Sequence, residues 1–327
     1  MTITPRALNT NLNDALYSFF SDPLLEGKIA FVYKDGAGIP TLGVGYALVV
    51  DYGTGGTHDW QPRKDYRTDL SNAGINLTQT QLDDLDKKLT DVAKLLNGQV
   101  GSNPFPTSSG TDILGWTITD TQARSLFDIV IPKYQTQVQT WLGGTKWAGD
   151  TATIYDRLQG SQEMFALVSL AYNGLLSQSP TLKKDILSGN RAEAWYEIRY
   201  GSNGEKSRGV AKRRYYESEM FGLYDNPAAP TLDEAKQAYR MLQIHRTDIM
   251  KYEALYGLSP DGVRGTSHPT TGDTRTGLEL AQSLGTSVLN MLPQQKVSNV
   301  VESFDPAKTA LLSDLRTRYS DFANNLQ

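Results

Sequence analysis

The segment at residues 24–48 constrains the fold of this 327-residue chain more than any other stretch. It reads LLEGKIAFVYKDGAGIPTLGVGYAL, which places Glu26 beside an apolar run, Asp35 nine residues later and Thr41 six residues after that. Two glycines and a proline between Asp35 and Thr41 cannot continue a helix, so the chain must turn there. We therefore expect a helix-borne carboxylate, a turn carboxylate and a strand hydroxyl to face one another across a cleft.

The residues that follow this turn predict one β-strand. Residues 41–48 alternate in the manner of a strand, and Gly43 and Gly45 stand where a backbone or a ligand must approach closely. Both glycines are therefore candidate substrate-binding residues.

Two carboxylates on either side of a scissile bond are the usual equipment of a glycoside hydrolase. Glu26 is the candidate acid, because partial burial among its apolar neighbours raises the pKa of a carboxyl group. Asp35, in a glycine-rich turn, is the candidate base or transition-state stabiliser, and Thr41 is the candidate for holding the attacking water. We expect inversion, which requires about 6.5–9.5 Å between the carboxyl groups. The carboxylate pair by itself also fits a structural role, with Asp35 as an Asx-turn residue.

Three motifs along the chain resemble those of the phage-type lysozymes, glycoside hydrolase family 24. The first joins E-G, Y-x-D and T-x-G-x-G across residues 26–45, with the gaps found in that family. The second is LAYNG at residues 170–174, which resembles a central helix ending in F-N-x-G. The third is GVAKRRYYESEMF at residues 209–221, which resembles the late G-L-x-x-R-R-x-x-E-x-x-L-F helix. The chain departs from the family at Tyr46, where histidine is frequent.

The resemblance implies an α+β, lysozyme-like fold with two lobes, mostly α-helical, with a small β-hairpin lobe. It implies an N-acetylmuramidase that cleaves the β-1,4 bond between N-acetylmuramic acid and N-acetylglucosamine in peptidoglycan glycan strands. Glu26, Asp35 and Thr41 are then the catalytic residues, and no metal or organic cofactor is expected.

The domain organisation predicted from the sequence has two parts. Residues 1–228 form the lysozyme-like domain, with residues 51–110 as an insertion in the small lobe, and residues 229–327 form an all-α module after a proline-rich linker. The residues D-G-V-R-G from Asp261, followed after eight residues by Thr274, faintly resemble the D-G-x-x-G-x-x-T motif of peptidoglycan-binding modules, in which one or two residues separate the glycine from the threonine. A docking or stabilising extension is the alternative. Helices are predicted over residues 8–21, after capping boxes at Thr78 and Thr119, and from Thr231 as one helix to about Tyr256.

Three further residues are candidates for substrate binding. Asn173 precedes a glycine, which suits either a cleft position or a plain helix end. Trp60, in the insertion, offers a face for sugar stacking, whereas most of the other tryptophans are expected in the core. Arg213 belongs to a basic cluster that either orients Glu26 or binds acidic groups of the substrate; an ordinary charged helix face is the alternative, and Arg214 is expected to be structural.

Composition excludes several classes of function. The absence of cysteine removes disulfides and thiolate chemistry, and the three scattered histidines do not have the spacing of a zinc enzyme. A net charge of −4 does not favour nucleic-acid binding, and no window is apolar enough for a membrane span. No Sec-type signal is recognisable, so we expect synthesis in the cytoplasm and another route to the cell wall in the periplasm of a host or target bacterium.

Two biological settings fit these expectations. One is a phage endolysin, and the other is an antibacterial effector delivered by a secretion system, with an immunity protein as its partner. Two other functional classes stay open: a non-catalytic, lysozyme-like protein that binds the wall or acts as a scaffold, and a lytic transglycosylase, which needs the acid but not the pair that holds water.

Overall fold

The structure is a computed structural model that describes residues 2–22, 27–202, 208–226 and 231–256. Within these ranges the chain combines helices with two small antiparallel sheets, which confirms the predicted α+β class. Contacts divide it into two units, which we call the β unit (residues 13–134) and the helical unit (residues 1–12 and 135–327). No helix in the described ranges has both the length and the apolar character needed to cross a membrane.

The strands of the described chain all lie in the β unit. One sheet has the order β1-β2-β3 and the other pairs β4 with β5. The prediction of a single strand over residues 41–48 is wrong, because Gly43 and Gly45 adopt φ of +65° and +72° and turn the chain back between β2 and β3. The strands are β1 (Ile29–Lys34), β2 (Pro40–Gly43), β3 (Tyr46–Ala47), β4 (Val49–Asp51) and β5 (Trp60–Pro62).

Helices of the β unit pack against its sheets, and an apolar core lies between them. Thr78 and Gln81 form the predicted capping box, and Thr119 accepts a hydrogen bond from Gln122 N at 3.2 Å at the start of α4. The helix predicted over residues 8–21 begins only at Leu12. The helices are α1 (Leu12–Ser21), α2 (Tyr66–Asn72), α3 (Gln79–Leu96) and α4 (Asp120–Leu142), whose later part belongs to the helical unit. The core includes Val32, Leu42, Leu48, Leu70, Leu85, Leu89 and Leu126.

The helical unit is built around α6. Its residues from Glu163 to Ala171 are all buried, so the single apolar stripe predicted for this helix extends around its whole circumference. α9 packs against α6, and α8 packs against both α7 and α10. The elements are α5 (Ile154–Leu158), α6 (Gln162–Tyr172), a 3₁₀ turn (Leu176–Gln178), α7 (Pro180–Ser188), α8 (Arg191–Tyr196), a π-helical turn (Glu197–Gly201), α9 (Arg208–Phe221), α10 (Leu232–Ile244) and α11 (Arg246–Tyr256).

Residues 231–256, which the sequence assigns to the accessory module, pack within the helical unit. The capping box of Thr231 and Glu234 starts α10 as predicted, but the predicted long helix is interrupted at His245 and resumes as α11. The predicted boundary at residues 228 and 229 and the faint pattern from Asp261 lie outside the described residues, so the two-domain division stays a prediction.

A buried ionic network ties the N-terminal segment to three helices. Glu163 Oε1 accepts hydrogen bonds from Arg6 Nε at 3.0 Å and from Arg191 Nη2 at 2.8 Å, and Glu163 Oε2 accepts one from Arg6 N at 2.9 Å. Arg191 also donates to the carbonyl oxygens of Thr4 and Phe221. Because Glu163 and Arg191 are almost fully buried, each charge depends on its partners to offset the loss of hydration.

A second titratable group lies unpaired in the helical unit. Asp185 of α7 is 7% exposed, and its Oδ2 has no hydrogen-bond partner among the described residues. Burial, followed by the negative charges of Glu193 and Glu197, raises the pKa of Asp185 to about 7, and the positive charges of Lys184 and His245 oppose the rise. This carboxyl group therefore favours its protonated form in the folded chain.

We predict that Glu163→Gln lowers the free energy of unfolding by about 3–5 kcal/mol, because Arg6 loses the carboxylate with which it pairs and the buried Arg191 keeps only its second carboxylate partner, Asp225. Urea unfolding followed by circular dichroism measures the change. Asp233→Asn, which removes the exposed pair between Asp233 and Lys236, serves as the control and should change stability by less than about 1 kcal/mol. Equal losses in the two variants would contradict the role assigned to the network.

We predict that Asp185→Asn makes the chain more stable above pH 7 by about 2–4 kcal/mol. The pKa of Asp185 is raised on folding, so the folded state binds more protons than the unfolded state between about pH 4 and pH 7, and wild-type stability falls over that interval. The variant lacks this loss. Urea unfolding of both proteins at pH 4 and pH 8 measures it, and parallel pH profiles would contradict the assignment.

Candidate functional site

The turn between β1 and β2 holds Asp35 by its own side chain. Asp35 Oδ1 accepts hydrogen bonds from Ala37 N at 2.9 Å and from Ile39 N at 2.8 Å, and Asp35 N donates to Ile39 O at 3.0 Å. This is the Asx-turn geometry considered as the structural alternative. Within the described ranges, Oδ2 of the same half-buried carboxylate accepts no hydrogen bond. One oxygen therefore shapes the turn while the other is left for a water molecule or a ligand.

Thr41 shares a face of the hairpin with Asp35. The register pairs Thr41 with Tyr33, and the hydrogen bond from Asp35 N to Ile39 O continues the same pairing by two residues. Residues two apart along a strand point to the same side, and such diagonal neighbours lie about 7–8 Å apart. Thr41 is 4% exposed and its Oγ1 donates to Ile39 O at 3.0 Å, so the hydroxyl retains only its acceptor capacity.

Glu26, the predicted acid, lies outside the described residues. Its chain neighbour Gly27 is described, and the Gly27 N–H donates to Asp22 O at 3.0 Å. The separation of the Glu26 and Asp35 carboxyl groups, on which the choice between inversion and retention depends, therefore stays a prediction.

A loop from the predicted insertion braces the Asp35 turn. Asn103 Nδ2 donates to Gly38 O at 2.6 Å, and Lys34 N donates to Pro106 O at 2.7 Å. Sequence reasoning missed Asn103, because the contact joins residues 65 positions apart and no local pattern encodes it. The loop at residues 103–106 thus fixes the hairpin that carries Asp35 and Thr41.

Tyr46, the departure from the family pattern, is fully buried behind the hairpin. Its hydroxyl donates to Asp69 Oδ2 at 2.6 Å, and the Arg63 guanidinium lies 4.7 Å from the centre of its ring. Burial, followed by the hydrogen bond to Asp69, raises the pKa of the Tyr46 hydroxyl, so it stays a proton donor. Tyr46, a neutral donor to the Asp69 side chain, therefore stands at the position where the family frequently has histidine.

The two glycines of the hairpin have conformational reasons for being glycine. Both have positive φ, and a Cβ at Gly43 would lie 3.3 Å from Ile118 Cδ1 and 3.5 Å from Ala123. This is the close backbone approach expected from the sequence, and the approaching group is protein. Their predicted role in substrate binding is not tested by this packing.

The remaining candidate residues belong to other elements than the hairpin. Asn173 ends α6, and its Nδ2 donates to Ser169 O at 2.8 Å, as in a plain helix end. Trp60 is partly buried against the core of the β unit, and its backbone exchanges two hydrogen bonds with Asn97, each 2.9 Å. Arg213 is half-buried on α9.

Arg214, next along α9, has the structural role expected of it. It is fully buried, and its Nη2 donates to Glu217 Oε1 at 2.9 Å. Ser169 Oγ donates to the same carboxylate. Burial lowers the pKa of Arg214 and raises that of Glu217, and the attraction between the two charges opposes both shifts.

A groove of about 540 Å³ opens on the helical unit. Trp141 forms part of its lining, although the sequence analysis singled out only Trp60 as a cleft candidate. This tryptophan lies near the end of a helix whose sequence gives no sign of a cavity, so only the packing of α4, α6 and the 3₁₀ turn identifies it. The lining consists of Thr136, Gln137, Thr140, Trp141, Ala171, Gly174, Leu176 and Ser177.

Over the part of the chain that the structure describes, no three histidine, aspartate or glutamate side chains are grouped so as to hold a metal ion. Comparison with protein-family models, curated proteins and solved structures gives no significant match. The resemblance to phage-type lysozymes therefore rests on the three sequence motifs, and the chemistry of the site has to be argued from the Asp35 hairpin.

Proposed function

We propose that this chain is a peptidoglycan hydrolase, an N-acetylmuramidase that cleaves the β-1,4 bond between N-acetylmuramic acid and N-acetylglucosamine. The observation that carries the proposal is the arrangement of the β1–β2 hairpin. Its turn presents a carboxylate with one committed and one uncommitted oxygen, on the same face as the Thr41 hydroxyl. The order and spacing of the three motifs support the same assignment.

The proposed reaction assigns a separate proton transfer to each carboxyl group. Glu26 gives its proton to the glycosidic oxygen as the bond to the anomeric carbon breaks. Water attacks that carbon from the opposite side of the ring, and Asp35 Oδ2 accepts the proton that the water loses. Because Oδ1 accepts hydrogen bonds from Ala37 and Ile39 N–H, the carboxylate is held without rotating and Oδ2 keeps one direction.

The proposed role of Thr41 is to orient the water. Its proton is donated to Ile39 O, so Oγ1 acts as the acceptor of one water O–H while the other O–H is directed at Asp35. A water held by two acceptors presents its lone pairs to the sugar. The low exposure of Thr41 matches a hydroxyl that serves one ordered water and not bulk solvent.

The Asx turn gives specific support to a second candidate, a non-catalytic protein that binds the cell wall through a lysozyme-like fold. In that case Asp35 serves only the turn, and its Oδ2 has no reactive role. A lytic transglycosylase is a third reading, in which Glu26 acts but the Asp35–Thr41 pair is dispensable. These readings differ in the products that they form and in the residues that they require.

The biological setting is proposed at the same level. The chain is proposed to be an endolysin or an antibacterial effector, and an effector requires an immunity protein that covers the site. Only the presence of a gene for such a protein beside its own distinguishes the two settings.

We predict that Asp35→Asn lowers the rate of peptidoglycan hydrolysis by about 10²–10⁴-fold while the fold is kept. Asparagine retains an oxygen that accepts the Ala37 and Ile39 hydrogen bonds, so the turn survives and only the proton acceptor is lost. Asp51→Asn is the matched control, because Asp51 Oδ1 also accepts two backbone N–H groups, from Gly53 and Asp59. The control should hydrolyse at the wild-type rate.

Mass analysis of the products separates the three readings. Wild-type muropeptides with reducing ends, absent with Glu26→Gln and Asp35→Asn, support the muramidase. Anhydro-muramyl products that persist in Asp35→Asn indicate the transglycosylase. No soluble product from any variant, together with retention on insoluble peptidoglycan, indicates the binding protein.

We predict that Thr41→Val lowers the hydrolysis rate by about tenfold or more, whereas Thr41→Ser stays within about threefold of the wild type. Valine keeps the branched shape but removes the acceptor for water, and serine keeps the hydroxyl. Because valine also loses the hydrogen bond to Ile39 O, urea unfolding is measured alongside activity. Equal activity of the two variants at equal stability would remove Thr41 from the mechanism.

A further inference from the structure

The groove beside Trp141 is lined by residues other than those of the Asp35 hairpin, and the chemistry of its lining is different. All eight residues that line it are uncharged, in a chain in which 21% of residues are charged. An indole ring and the side chains of Ala171 and Leu176 supply apolar surface, and the hydroxyl and amide groups of exposed residues supply hydrogen bonds. None of the lining residues carries a charge, so a neutral ligand suits the lining, and the ammonium group of Lys183 borders it beside Trp141.

Three polar side chains in the lining are available to a ligand. Gln137, Thr140 and Ser177 make no side-chain hydrogen bond within the described ranges. The side-chain amide of Gln137 has an NH₂ group that donates and an oxygen that accepts, and each hydroxyl can both donate and accept. A ligand with several hydroxyl groups satisfies this set in a way that a hydrocarbon ligand does not.

The indole ring of Trp141 is restrained beside these groups. The ring is half-buried, and Lys183 Nζ of α7 lies 5.9 Å from its centre. A flat apolar ring next to hydrogen-bonding groups matches a pyranose, which has a face of C–H bonds and a rim of hydroxyl groups. The acetamido group of an N-acetylated sugar adds one donor and one acceptor for an amide partner such as Gln137.

We infer that this groove is an accessory saccharide-binding site that takes uncharged N-acetylglucosamine units of a glycan strand, separate from the residues proposed to hydrolyse it. The choice of N-acetylated sugar rests on the proposed function, whereas the choice of a neutral saccharide rests on the lining. The volume of about 540 Å³ lies within the roughly 300–1,000 Å³ usual for small-ligand sites.

The test uses the full chain with Asp35→Asn, so that no probe is hydrolysed, and titrates it with the trimer of N-acetylglucosamine. Tryptophans are labelled with 5-fluorotryptophan, and Trp141→Phe assigns the Trp141 resonance in the fluorine NMR spectrum. We expect the Trp141 resonance to shift with the trimer, and the shift to be smaller with cellotriose, which lacks acetamido groups. Trp141→Ala should weaken the binding of the trimer by about tenfold.

Two variants guard against loss of folding as the cause. The double variant Gln137→Ala with Thr140→Ala changes only exposed positions. It should also weaken the binding of the trimer by about tenfold. Gln139→Ala is the matched control, because residues two apart on a helix do not share a face, and it should bind as the parent does. An unshifted Trp141 resonance, or equal affinity of the double variant and the control, would overturn the inference.

The outcome is independent of catalysis. Binding in the groove without any hydrolysis by the wild type would reject the muramidase and keep the saccharide site. Hydrolysis by the wild type, combined with an unshifted Trp141 resonance, would reject the saccharide site and keep the muramidase.

Discussion

The buried carboxylate of Glu163 is the constraint on which the helical unit depends. It accepts hydrogen bonds from Arg6 and Arg191, which stand 157 residues before it and 28 residues after it. Arg191 extends the network to the backbone of Thr4 and to the end of α9. A charge without its partners is strongly unfavourable at this depth, so the first residues of the chain, α6, α8 and the end of α9 are stable only together.

The hairpin of the β unit uses a different kind of constraint. The side-chain amide of Asn103, the carbonyl of Pro106 and the acceptor oxygen of Asp35 fix its turn. Tyr46 and Asp69 support it from the core side. None of these contacts requires a buried ion pair. Hydrogen bonds within the turn therefore hold the candidate site, together with one contact from a loop that is distant in sequence.

Much of this architecture could be predicted from the sequence where the signal is local. The capping boxes at Thr78, Thr119 and Thr231 mark helix starts correctly, because the cap is a contact across three residues. The predicted turn at residues 36–40 exists for a similar reason. The class of fold follows from the same patterns.

Features that depend on tertiary packing could not be predicted in this way. Two positive-φ glycines divide the predicted strand, and His245 divides the predicted helix where its imidazole stacks on Tyr196 at 3.7 Å and pairs with Glu193. The brace from Asn103 and the groove beside Trp141 arise between segments far apart in the chain. Of the three residues that the sequence predicts to be catalytic, Asp35 and Thr41 lie on one hairpin, and the position of Glu26 stays a prediction.

The Asx turn at Asp35 has an evolutionary consequence. A single nucleotide change converts an aspartate codon to an asparagine codon, and asparagine preserves both hydrogen bonds that shape the turn. The proposed reactive group is therefore separable from the fold in one mutational step. Under the proposed function, a lineage with this hairpin can lose hydrolysis in that step while it keeps the folded turn, and selection can then retain the inactive form as a receptor or a decoy for the same polymer.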